Sequence, residues 1–155
     1  MFGTKSSVVS STMDAIYCRG PLQVTIAWIA LYYCFLFFQG MSKYYIYLKE
    51  KTDGKKVNMT KIKYFGGSND RLILTGDRTA GNMVEQSIPF LASLWLCAMF
   101  HSPAEATKWG WYWLGSRVIY PVCFHLGMPY LLLSSTPGYI CIFFLVYPVG
   151  MKAFE

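Results

Sequence analysis

The chain has 155 residues, enough for one domain, and a formal net charge of +6. It is 54% hydrophobic and only 14% charged, against roughly 45–50% and 25% in soluble domains. Its apolar residues are also gathered into long runs, which excludes an ordinary soluble fold and leaves an integral membrane protein. The cysteines at 18, 34, 97, 123 and 141 are odd in number and widely spaced. Without a C-x-x-C or a His/Cys cluster, they read as inert thiols rather than a metal or redox centre.

Residues 1–20 are rich in Ser and Thr and carry Lys5, Asp14 and Arg19. They lack the apolar core and small-residue cleavage site of a signal peptide. The segment reads as a short tail with an interfacial turn around Ala15-Ile16-Tyr17. Pro21 suits the first turn of a helix, and residues 22–39 are expected as span one.

Residues 40–76 break the apolar pattern. Lys43, Lys49, Lys51, Lys55, Lys56, Lys61, Lys63 and Arg71 outnumber Glu50, Asp53 and Asp70. The excess places this basic loop on the cytosolic or equivalent inner side. Asn58-Met59-Thr60 is a glycosylation acceptor pattern, expected to stay unmodified there. Alternation over Tyr44–Leu48 and Val57–Phe65 suggests a small hairpin about Asp53-Gly54. Basic residues among tyrosines raise nucleic acid as a partner. Loop charge in a membrane protein more commonly serves topology and anionic lipid contact, so no nucleic acid is expected.

Residues 77–100 form span two, with Thr75, Gly76 and Asp77 at its start. The apolar part, Ile88 to Phe100, rises only about 20 Å as a helix, short of a hydrocarbon core about 30 Å thick. The span must therefore take in Glu85, Asn82 and Arg78. At 100° per residue these three fall within a sector of roughly 60°. A polar face thus enters the membrane, where it cannot meet lipid. Either its members pair along the helix, or they meet other helices, a partner subunit or a polar ligand. Pro89 is expected to kink this helix and open room beside Glu85.

His101 to Lys108 reads as a short turn that makes spans two and three antiparallel neighbours. Residues 109–126 form span three, with an aromatic belt of Trp109, Trp111, Tyr112 and Trp113. Arg117 lies mid-span and needs a partner, for which Glu85 is the candidate. Tyr120 shares its face, and Pro121 kinks the helix. Gly127-Met-Pro129 is a break. Residues 129–151 form span four, softened over Ser134 to Gly138. The result is an all-α, four-helix membrane bundle.

Arg78-x-x-x-Asn82-x-x-Glu85, followed by Ile88-Pro89-Phe90-Leu91, resembles the second-span signature of the MAPEG family, membrane proteins of eicosanoid and glutathione metabolism. Arg117-Val-Ile-Tyr120 resembles the family's third-span Arg-x-x-Tyr. The resemblance implies a homotrimer with glutathione between subunits, held by Arg78, Asn82, Glu85, Arg117 and Tyr120. It implies glutathione as substrate and no metal. It also implies membrane lipids as contacts, and a place in the endoplasmic reticulum or, second, an organelle inner membrane. Chemically, the ligand's carboxylates would meet the arginines and its ammonium Glu85.

Transferase or peroxidase chemistry on a lipophilic electrophile also needs a thiolate stabiliser. The family often has an arginine near the start of span four. Here Met128 to Pro137 holds no Arg or Lys, and a second family tyrosine falls near Phe124. Tyr120 and Tyr130 stand as catalytic candidates, with Ser134 or Ser135 as alternative donors. The competing reading is a non-catalytic relative, an accessory subunit of a larger membrane complex whose polar face is structural glue.

Overall fold

The computed structural model describes residues 18–65 and 70–155 of the chain. The tail and its turn at Ala15–Tyr17 lie outside the described residues. The fold is 88% helical, with no strand among the described residues. Its helices are α1 (Arg19–Thr52), α2 (Met59–Phe65), α3 (Arg71–Phe100), α4 (Pro103–Val118), α5 (Tyr120–Leu126) and α6 (Tyr130–Ala153). Three of them, α1, α3 and α6, are long and apolar enough to cross a membrane.

The basic segment is largely helical, and the expected hairpin does not form. Tyr44–Leu48 belongs to α1 and residues 59–65 to α2. Between Pro21 and Gly54 nothing forces a turn, so α1 runs for 34 residues. That is roughly 51 Å, well beyond a hydrocarbon core of about 30 Å. Lys49 and Lys51 sit in its last turn, at the negative end of the helix dipole. Gly54, at φ 74°, then reverses the chain. Ile46, Ile62 and Ile73 cluster to dock α2 beneath α1 and α3.

Helix α3 begins at Arg71, six residues before the expected start at Asp77. Asp70 is its N-cap, accepting from Leu72 N at 2.7 Å. The short turn expected over His101 to Lys108 is helical from Pro103 onward. Ser102 caps α4 by accepting from Glu105 N at 3.3 Å, and Pro103 takes the first helical position. Ser102 and Glu105 have capping-box spacing, but the Glu105 carboxylate turns to Lys108 and Trp109 instead. Those two donors, Lys108 foremost, hold that exposed carboxyl below the usual carboxylate range.

The third apolar segment is two helices, broken at Ile119 just before Pro121. Pro121 cannot donate the backbone bond that would continue α4. Helix α6 is continuous across Ser134–Gly138, where a soft segment was expected. Ser134 donates its hydroxyl to Ser116 O rather than to its own helix.

The core lies between α1, α3, α4 and α6. Phe90 and Trp113 stack at 3.8 Å between centroids and 5° between planes. Val24, Leu94, Cys97, Ala106 and Leu145 close around them, each fully buried. Small residues let the helices approach, as is usual where lipid offers no hydrophobic drive for association. A Cβ at Gly110 would stand 2.7 Å from Val24 Cγ1 and 3.0 Å from Leu94 Cδ1. Gly110→Leu should therefore overpack the α1–α3–α4 junction and cost about 1–3 kcal/mol, read as a lowered thermal unfolding midpoint in detergent.

Candidate ligand-binding face

Two faces of α3 do different work. Met83, Phe90 and Leu94 are buried in the core. At 100° per residue they lie roughly 120–160° around the helix from Arg78. Arg78, Asn82 and Glu85 point the other way. Arg78 and Glu85 are exposed, and Asn82 is half-buried. The three do not pair along the helix. Arg78 and Glu85 make no hydrogen bond or ion pair among the described residues.

Asn82 is engaged from α4. Arg117 Nη1 donates to Asn82 Oδ1 at 2.6 Å, and Arg117 Nη2 donates to Ser134 O at 2.8 Å. Arg117 Nε donates to Ser116 Oγ at 3.3 Å. The guanidinium also lies over the rings of Trp113 and Tyr120, at 5.4 and 5.7 Å from their centroids. Arg117 is 3% exposed. The expected Glu85 partnership is thus replaced by an amide, a carbonyl and two aromatic faces. The physical reason is reach: Asn82 lies on the side of the polar face turned toward α4, and Glu85 points outward.

Gly138 makes this arrangement possible. Any Cβ there would collide with Arg117 Nη2. Without it, α6 closes over the guanidinium, and Ser134 binds Ser116 O in return. The pair Ser134–Arg117 therefore clamps α6 onto α4. Ser134, considered from sequence as a donor to a thiol, is fully buried and already committed.

Asp77, next to Arg78, is also committed. Gln39 Nε2 donates to its Oδ1 at 2.7 Å, and Lys43 Nζ pairs with the same oxygen at 2.7 Å. Lys43 in turn donates to Lys63 O at 3.2 Å, tying α1, α2 and α3 together. Lys43, expected from sequence as loop charge beyond a span ending at residue 39, belongs instead to α1, and no sequence pattern signals this junction.

Tyr120 is buried at 6% exposure and stacks on Phe124 at 6.0 Å. Its phenol lies within electrostatic range of Arg117, Arg78, Glu85 and Tyr139. Tyr130 is exposed at the start of α6 and makes no hydrogen bond among the described residues. Tyr139 is the group that sequence reading overlooked. Its hydroxyl oxygen accepts from Gln86 Nε2 at 3.3 Å, beside Glu85. The available signal was a mid-span tyrosine directly after a glycine in an apolar segment that also holds Tyr130 and Tyr147.

The MAPEG family profile matches residues 25–150 of the chain. The chain belongs to the MAPEG family. It is accordingly an integral membrane protein built as a helical bundle in contact with lipid. No curated protein and no solved structure matches it. Within this MAPEG bundle, the motif residues divide into an inward group, Asn82, Arg117 and Tyr120, and an outward pair, Arg78 and Glu85.

The inward group should behave as one unit. Arg117→Met and Asn82→Ala are each expected to lower stability by about 1–3 kcal/mol. A double-mutant cycle should return a coupling of about 0.5–2 kcal/mol. Additive losses in detergent unfolding would show that the two side chains do not meet.

Proposed function

We propose that this MAPEG protein binds glutathione on the outward polar face of α3, where neighbouring copies of a homotrimer meet. The single observation behind this reading is that Arg78 and Glu85 are exposed on a membrane-crossing helix and make no hydrogen bond or ion pair among the described residues. Charges so placed need a counter-charge that lipid tails do not supply. Glutathione fits the pair. Its carboxylates suit Arg78 and its ammonium suits Glu85. Arg117 acts at one remove, holding Asn82 in place for the ligand, and Tyr120 walls the site.

The reaction we infer is transfer of glutathione to, or reduction by glutathione of, a lipophilic electrophile. Tyr139 is the hydroxyl we assign to the glutathione sulfur. Its oxygen already accepts from Gln86, so its own hydrogen remains to be donated to a thiolate. Residues 40–76 then face the cytosol from the endoplasmic reticulum membrane, as their excess of Lys and Arg suggests. A non-catalytic accessory subunit is the second reading. Its support is the stretch from Tyr130 to Gly138, which carries no Arg or Lys.

Calorimetric titration of the detergent-purified protein with glutathione tests the first reading. Saturable binding is expected. Arg78→Ala should weaken it by about 10–100-fold, the loss of one charged hydrogen bond, with the unfolding midpoint unchanged. Absence of saturable binding, or an unaltered affinity in Arg78→Ala, would refute it. Thiolate absorbance in the same samples separates the two readings. It should appear in the wild type and fall in Tyr139→Phe while binding persists. Binding with no thiolate signal in the wild type would favour the accessory subunit.

A further inference from the structure

On the loop side of the bundle a second feature lies away from the polar face. A groove of about 360 Å³ opens between α1, α3 and α5. Its walls are apolar: Phe38, Leu72, Pro121, Val122 and Leu126. Val122 and Leu126 are more than half exposed, one helical turn apart, so the groove opens outward toward lipid. Its polar lining residues are Thr75 and His125.

The hydrogen bonds orient that histidine. Thr75 Oγ1 donates its hydrogen to Arg71 O at 2.7 Å. It is then left to accept from His125 Nδ1, 3.2 Å away. Nδ1 is thus the donor of this contact, and Nε2 makes no hydrogen bond among the described residues. Beside it, Arg71 Nη2 lies 3.0 Å from where a Cβ on Gly127 would stand. This places the guanidinium over the chain two residues past His125. Arg71 is exposed, and its side chain has no hydrogen bond or ion pair among the described residues. The neighbouring Asp70 carboxylate turns back to cap α3.

Depth fits a headgroup. From Pro103 to Leu126 the chain rises roughly 36 Å, a little more than a hydrocarbon core of about 30 Å. His125 and Arg71 therefore stand at the loop-side interface, and Val122, Pro121 and Phe38 lie toward the tails.

We propose that this groove holds one phospholipid with an anionic headgroup that carries a hydrogen-bond donor, as phosphatidylglycerol and phosphatidylserine do. Its phosphate pairs with Arg71, and its hydroxyl or ammonium donates to His125 Nε2. One acyl chain lies along Phe38, Leu72 and Val122. The surrounding segment is strongly basic, which draws anionic lipid to this side. Phosphatidylcholine is zwitterionic and lacks a headgroup N–H or O–H, so it meets neither requirement. The site does not depend on the glutathione reading.

The test uses the full chain in nanodiscs containing equal phosphatidylglycerol and phosphatidylcholine, followed by native mass spectrometry of the lipid that remains bound on release. One phosphatidylglycerol per chain is expected. Arg71→Gln should lower its retention at least about fivefold, and His125→Phe should lower its selectivity over phosphatidylcholine. Unfolding midpoints show that both variants are folded. A photo-crosslinker at position 122 should capture lipid. Equal retention of the two lipids, retention unchanged in Arg71→Gln, or capture of a second copy of the chain from position 122 would each overturn the proposal.

Discussion

A guanidinium buried in a membrane bundle must be satisfied, and much of this structure follows from how Arg117 is satisfied. Its donors reach Asn82 on α3, Ser116 on α4 and the Ser134 carbonyl on α6. Two aromatic rings cover its faces. No carboxylate among the described residues pairs with it. The network joins three helices, and Gly138 supplies the space it occupies. Removing any member leaves a buried polar group without its partner, which costs more than the bond itself contributes.

Because Asn82 meets Arg117, the polar face of α3 is divided. Asn82 faces inward, and Arg78 and Glu85 are left outward. A second junction removes Asp77 from that face by binding it to Gln39 and Lys43. The outward pair is thereby free of competing internal partners among the described residues. This is what a site for a zwitterionic, carboxylate-rich ligand between subunits requires.

Much of this was legible in the residues. Blocked apolar runs and scarce charge identified the membrane bundle, and the offsets of Arg78, Asn82 and Glu85 placed all three on one helical face. The family followed from those offsets with Pro89-Phe90 and Arg117-x-x-Tyr120. Other features were not legible, each for a physical reason. Helix α1 continues thirteen residues past 39 because Lys and Tyr are acceptable helix formers once outside the bilayer, whereas hydropathy marks only the membrane-crossing part. The partner of Arg117 was misjudged because charge suggests a carboxylate, and only the packing of α4 on α3 shows that Asn82 is within reach. Tyr139 and Gln86 belong to different helices, and sequence offers no register between them.

The division of the polar face is tested most directly by a photoreactive glutathione analogue irradiated with the protein in native-like membranes. Label is expected on α3 between Arg78 and Gln86, lost when excess glutathione competes. Label confined to other helices, or label on α3 that glutathione does not displace, would contradict a glutathione site on the outward face of α3.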